Sequence, residues 1–182
     1  MLEIAQLHES ELKEKFHHTW FKDKYKYYYA DTFCSEFKVE PDTWNKHQFV
    51  SLYHNDYDPE DIEVIGYIEY DINRRTNNVH SLAAINFSDY KTFGVDLGRA
   101  VCDIFEKFKF NKLNFSVVVG NPIEQSYDKL VEKYGGRIVG YFEKEVKLID
   151  GKYCDEKLYE ITAENYFKSK ENNYEKMFDM SV

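Results

Sequence analysis

The chain has 182 residues, with 24 Lys and Arg against 33 Asp and Glu, so its formal charge is 24 − 33 = −9. That length makes one domain, and the acidic balance, with a pI near 5.2, lacks the basic footprint that nucleic acids and anionic membranes recruit. Aromatic residues reach 18% while Gly numbers eight and Pro three, which favours a ring-filled core and regular elements over special turns.

In chain order, residues 1–7 predict an edge strand. Leu12, Phe16 and Trp20 recur every four residues and predict an amphipathic helix over about 9–23. Residues 25–33 are dense in aromatics without a period. A strand is expected over 44–54, an acidic turn over 55–61, and then two antiparallel strands, about 62–72 and 79–87, joined by the polar run 73–78. Leu97, Val101, Ile104, Phe105 and Phe108 form a helical core stripe. Leu113, Phe115 and Val117 to Val119 read as a strand buried on both faces. A second helix follows, with Asn121 as cap, Pro122 in the first position and Glu124 three residues after the cap. Gly135 and Gly136 end it. Strands over about 137–149 and 153–162 are joined by Asp150-Gly151-Lys152. The strand–helix–strand unit 79–119 predicts a parallel pair, and the whole order predicts a single-domain α/β fold with a mixed central sheet flanked by helices. Residues 168–182 read as a polar tail or short helix.

Cys34, Cys102 and Cys154 are an odd number without paired spacing, and they read as reduced thiols. None of the six histidines has a ligand spacing, and no metal is expected. Asp56, Asp58 and Glu60 imitate the start of a calcium loop, but Asp61 and Tyr67 stand where that loop needs Gly and Glu. No stretch approaches 18 apolar residues and no signal core opens the chain, so a cytoplasmic protein is expected. Two helix starts remain as candidate sites. Asp89 to Gly98 joins a strand to the core helix through Gly94, where free N–H groups and the positive dipole end suit phosphate oxygens and Lys91 adds a charge. The alternative is that Gly94 and Gly98 serve only tight packing. Asn121-Pro122 is the second start.

The element order, with Ile65-Gly66-Tyr67-Ile68-Glu69-Tyr70, Asn121-Pro122 through Glu132-Lys133-Tyr134-Gly135, and Asp150-Gly151-Lys152-Tyr153-Cys154-Asp155 to Thr162, resembles the GNAT superfamily of acetyl-CoA-dependent N-acetyltransferases. Within it, the chain resembles the ribosomal-protein N-terminal acetyltransferase branch, most plainly from Val64 to Phe167. The resemblance implies a GNAT-like acetyltransferase domain over 1–167. It implies acetyl-CoA as cosubstrate, held at the pyrophosphate by Lys91 and the backbone of Gly94, Val95, Asp96 and Leu97. Ile85, Asn86 and Phe87 would pair with the pantetheine arm, and Asn121 and Ser126 would border it. The family's phosphate loop ends in Gly or Ala, whereas this chain has Asp96, a carboxylate that costs affinity unless it turns away or caps the helix.

The family's Tyr, which returns a proton to the leaving thiolate, falls on Val131 here. Tyr127, one turn earlier, becomes the acid candidate, and Glu69 and His80 are the base candidates. Trp20 through Phe33, with Asp23, Asp31 and Glu36, would frame an amine-bearing acceptor, a small molecule or a polypeptide N-terminus. The implied activity is direct acetyl transfer to a primary amine. The alternatives are a GNAT-like module that binds acyl-CoA without catalysis, favoured by Asp96 and Val131, and an α/β interaction domain without coenzyme. A homodimer is expected from the apolar residues of the tail, Tyr174, Met177, Phe178 and Met180.

Overall fold

The structure is a computed structural model describing residues 1–19, 22–28, 37–55 and 58–179, the side chains of 58–61 and 173–179 excepted. Seven strands form one mixed sheet: β1 (Leu2–Ile4), β2 (Lys46–Asn55), β3 (Asp58–Asn73), β4 (Asn78–Asn86), β5 (Lys112–Val118), β6 (Arg137–Lys147) and β7 (Tyr153–Thr162). Their spatial order is β1-β2-β3-β4-β5-β7-β6. Four α-helices accompany them: α1 (Glu9–His17), α2 (Thr92–Glu106), α3 (Glu124–Lys133) and α4 (Ala163–Asp179). The expected single-domain α/β architecture is the one observed. α1 ends at His17, short of the expected end near residue 23, because His18 caps it and His18 and Thr19 form a turn; Trp20, the last residue of its expected stripe, lies outside the described residues.

Both faces of the sheet are apolar because the strands alternate. On one face, Leu12 and Phe16 of α1 pack with Val50, Leu52, Val64, Tyr67 and Ile85. On the other, Leu97, Val101, Ile104 and Phe105 of α2, Val131 of α3 and Tyr166 of α4 close over Ile68, Tyr70, Leu113, Phe115, Tyr159 and Ile161.

The strands pair antiparallel throughout except β4 with β5, which are parallel as the 79–119 unit predicts. That pair is short: Asn78 meets Lys112 and Val79 meets Leu113, and there the register ends. The closed end is stitched by Asn111 N–H donating to the Asn77 carbonyl at 2.8 Å. Just beyond, β4 carries an irregularity. Asp71 pairs with His80 and Glu69 with Ala83, so Ser81 and Leu82 together oppose Tyr70. Ser81 has φ 58°, the left-handed region. Such a bulge increases the local twist of its strand, and from this point β4 leaves β5. The C-terminal ends of the two parallel strands stand apart as a wedge, the place where open α/β sheets offer a ligand crevice.

On β2, His47 shares a hydrogen bond with the Tyr70 hydroxyl at 2.8 Å and packs against Phe49, Phe108 and Phe110. Burial, then the positive charges of Arg74 and Lys107, push its pKa down from 6.5 to about 4. The folded chain therefore holds a neutral imidazole that the unfolded chain titrates near 6.5. Protonation favours the unfolded state, so stability that is complete above that value is lost as pH falls through about 4. Denaturant midpoints should drop between about pH 7.5 and about pH 4.5, and His47→Gln should flatten that drop. An equally steep drop in the variant would assign it to other groups.

Candidate active site

The wedge is flanked by two helix starts, because each of its strands runs directly into a helix: β4 into α2 and β5 into α3. α2 begins at Thr92, earlier than its apolar stripe suggests, and no side chain caps it. In a helix that starts there, the N–H groups of Lys91, Thr92 and Phe93 have no intrahelical acceptor. Gly94 N–H reaches the Lys91 carbonyl at 3.1 Å. This corrects the expected set of backbone donors. Val95, Asp96 and Leu97 lie one position or more inside the helical ladder, so their N–H groups are taken up by the helix itself. Lys91 and Gly94 keep their expected place: both are exposed, and a Cβ added to Gly94 would have nothing within 4 Å.

The side chains of this turn divide by helical spacing. Gly94 and Val95 face outward, Val95 being 72% exposed. Phe93 and Asp96, three apart, face the sheet. The Phe93 ring packs on Gly66 of β3, so close that a Cβ there would stand 2.2 Å from Phe93 Cδ2. Asp96 is 6% exposed, and its Oδ2 accepts a hydrogen bond from Ser51 Oγ of β2 at 2.6 Å and lies 2.9 Å from the amino group of Met1. The carboxylate in the phosphate-loop position thus points into the sheet and away from the open N–H groups.

On the strand side, Phe87 N–H donates to the Ile65 carbonyl at 2.9 Å and is not available to a ligand. In an antiparallel ladder the backbone groups of successive residues point to opposite sides. Asn86 therefore turns its backbone toward the wedge, while its side chain closes a turn with Ser88. Ile85 sends its side chain into the α1-side core. Across the wedge, α3 starts at Glu124, two residues later than the Asn-Pro signal predicts. Asn121 Oδ1 instead accepts from Ile123 N–H at 3.2 Å, and Glu124 Oε2 accepts from Gly120 N–H at 3.0 Å, so the two signal residues hold the turn before the helix. Asn121 is half-buried at this turn and Ser126 is exposed on the first turn of α3.

Tyr127 follows on the buried face of α3. It is 4% exposed, its ring edge-on to Phe115 of β5 at 5.1 Å, and its hydroxyl makes no hydrogen bond among the described residues. Burial raises its pKa above the ordinary tyrosine value, so the phenol keeps its proton. Val131, where the family's Tyr falls, is 3% exposed and part of the core. α3 is clamped to β7 by Lys157, only 4% exposed, whose ammonium reaches Asp128 at 2.6 Å and Glu124 at 3.2 Å. Tyr159 donates to the same Asp128 at 2.7 Å.

The base candidates stand apart from Tyr127. Glu69 lies on the α1 face of β3, opposite Ala83 of β4. One of its carboxylate oxygens accepts from Tyr67 Oη at 2.7 Å, Lys46 Nζ at 3.1 Å and Gln48 Nε2 at 3.3 Å. His80 is exposed at the closed end of the wedge, beside Val79, where β4 still pairs with β5.

Residues 22–28, which sequence periodicity could not place, span the wedge mouth. Lys24 pairs with Asp89 at 3.1 Å and the Tyr25 hydroxyl donates to the Phe87 carbonyl at 3.5 Å, on the β4 side. Tyr27 packs beside Val118, Leu148 and Cys154, on the β5 side. A pocket of about 240 Å³ adjoins this bridge, lined by Thr19, Tyr25 and Ile149 with Lys22, Lys26, Asp23 and Asp150. Trp20, Asp31, Phe33, Cys34 and Glu36 of the aromatic stretch lie outside the described residues, as do Asp56 and Met180. The side chains of Tyr174, Met177 and Phe178 are likewise not described. Among the described residues no group of three or more His, Cys, Asp or Glu could hold a metal ion, and no helix is long and apolar enough to cross a membrane.

No family model and no curated protein matches the chain. Solved structures do. The chain is similar to spermidine N-acetyltransferase from Vibrio cholerae, solved in complex with CoA and spermine, at 17% identity and a TM-score of 0.62, covering 92% of this chain and 97% of that one. It is also similar to a chimera of the spermidine N-acetyltransferase SpeG from Vibrio cholerae and hSSAT, at 22% identity and a TM-score of 0.53, covering 68% and 71%. A variant of SpeG from Vibrio cholerae matches at 20% identity and a TM-score of 0.55, covering 69% of each chain. These likenesses show that the chain has the fold of the GNAT acetyltransferases.

Proposed function

We propose that the chain is an N-acetyltransferase that moves an acetyl group from acetyl-CoA to a primary amine. The observation that carries this reading is the wedge between β4 and β5, opened by the bulge at Ser81 and flanked by the starts of α2 and α3. The open N–H groups of Lys91, Thr92 and Phe93 suit the pyrophosphate, the outward backbone of Asn86 suits the pantetheine arm, and Asn121 and Ser126 border it from β5. A chain at −9 can bind this polyanion because the donors are backbone groups at a helix start, joined by Lys91. The acceptor enters from the opposite side, through the pocket that Thr19, Tyr25 and Lys26 form with Ile149 and Asp150 of the β6–β7 turn. Its lining includes two cations and two carboxylates, which suits a small amine-bearing molecule or a polypeptide N-terminus.

In the reaction the neutral amine attacks the thioester carbon, the C–N bond forms and the C–S bond breaks. The amine's excess proton leaves to water, and Tyr127 gives its proton to the departing thiolate. Most of the rate comes from holding amine and thioester together. Glu69 is already satisfied by three donors, so it acts at most by positioning the α1 side of the cleft. Val131 and this engaged carboxylate favour a second reading, an acyl-CoA-binding module without catalysis.

Calorimetry and thermal shift with acetyl-CoA and CoA test both readings. At ligand about 100-fold above its Kd the fold should gain about 2.7 kcal/mol. No stabilisation at millimolar ligand would remove both. Binding without thiol release, across a panel of polyamines, amino acids and N-terminal peptides, would leave the second.

A further inference from the structure

We propose that Asp96 and Ser51 are positioning residues, a buried latch that sets the first turn of α2 at the angle its phosphate-binding N–H groups require. The proposal rests on the coenzyme reading above. α2 has no side-chain N-cap among the described residues, so no capping bond fixes the direction of the Lys91, Thr92 and Phe93 N–H groups, and Tyr90, stacked on Tyr53 at 4.3 Å, holds only the approach to the helix. That direction is set one turn lower, by the two side chains that face the sheet. Phe93 is seated in the notch left by Gly66. Asp96 is tied at 2.6 Å to Ser51, whose residue is fully buried. Ser51 and Gly66 are register partners on β2 and β3, so both anchors stand on one rung of the sheet. Gly66 leaves the room that Phe93 fills, and Ser51 supplies the hydroxyl that holds Asp96. Without that carboxylate the buried Ser51 hydroxyl would lose its acceptor.

A residue that only stabilises the fold would affect every ligand alike, whereas one that aims the phosphate-binding turn affects phosphate-bearing ligands alone. Binding of acetyl-CoA and of S-acetylpantetheine, which has no pyrophosphate, is compared by ligand-observed NMR for the full chain, Ser51→Ala and Asp96→Asn. Ser51→Ala should weaken acetyl-CoA about tenfold and leave S-acetylpantetheine unchanged. Asp96→Asn, whose amide oxygen still accepts from Ser51, should weaken acetyl-CoA less. Equal losses for the two ligands, or no loss for either, would overturn the latch while the coenzyme reading stands. If the unaltered chain binds neither ligand, the coenzyme reading fails and the latch with it. Should Ser51→Ala not fold, Asp96→Asn alone decides by the same ratio of affinities.

Discussion

Tyr127→Phe should lower acetyl-transfer turnover by about 10²-fold or more, the usual scale of a lost general acid, while leaving acetyl-CoA affinity within about twofold. The prediction separates chemistry from packing because the hydroxyl makes no hydrogen bond among the described residues, whereas the ring does the packing against Phe115 and Tyr159. Phe keeps that ring, so the melting temperature should not move. Burial keeps the phenol protonated through neutral pH, so the pH profile of the unaltered chain should show no limb from Tyr127 in that range. Steady-state thiol release with a competent amine measures the effect. An unchanged turnover would retire Tyr127 as the acid and pass the role to solvent.

Gly66→Ala should be strongly destabilising. The new Cβ would stand 2.2 Å from Phe93 Cδ2 and 3.0 Å from the Ile85 carbonyl oxygen. The ring is 4% exposed and held in the core, so it cannot swing into solvent. Overpacking of this kind costs about 1–3 kcal/mol, a fall of about 5 °C in Tm at this size. The strain is relieved by lifting α2's first turn, so acetyl-CoA should bind more weakly as well. Phe93→Leu makes room, and the double variant should recover about 1 kcal/mol or more of the loss. Additive losses would show that the clash is absorbed elsewhere.

Much of the fold was legible in the chain because its strongest signals are local. The β3–β4 pair declares itself by runs of β-branched and aromatic residues around a polar turn, and the body of α2 by a stripe from Leu97 to Phe105. The start of α2 was not legible, because what makes Phe93 and Asp96 inward-facing lies far away in sequence, at Gly66 and Ser51. Neither partner carries a periodic signal, although the scarcity of glycine gives Gly66 some weight. The Asn121-Pro122-x-Glu124 signal marks the approach to a helix but sets the boundary early, since Asn121 spends its oxygen on the turn before the helix. The proposed site divides the same way. Lys91, Gly94, Asn121 and Tyr127 come from motifs. The bridge through Tyr25 and Tyr27 comes only from tertiary packing, since those rings lack both period and motif.

The two residue pairs joining β4 to β5 have a consequence for how the molecule holds together. Strands β1–β4 and β5–β7–β6 are nearly two separate sheets, and the backbone ladder across their seam is almost missing. What spans the seam is side-chain packing: α2 and α3 lay one apolar layer across Ile68 on one side and Leu113, Phe115 and Tyr159 on the other. Packing of that kind resists separation but tolerates small rotations better than a hydrogen-bonded ladder does. The halves share one core, and the seam between them should open more readily than strands joined by a full ladder. A ligand strand laid into the seam would supply the missing rungs, so occupancy and rigidity of the whole sheet rise together.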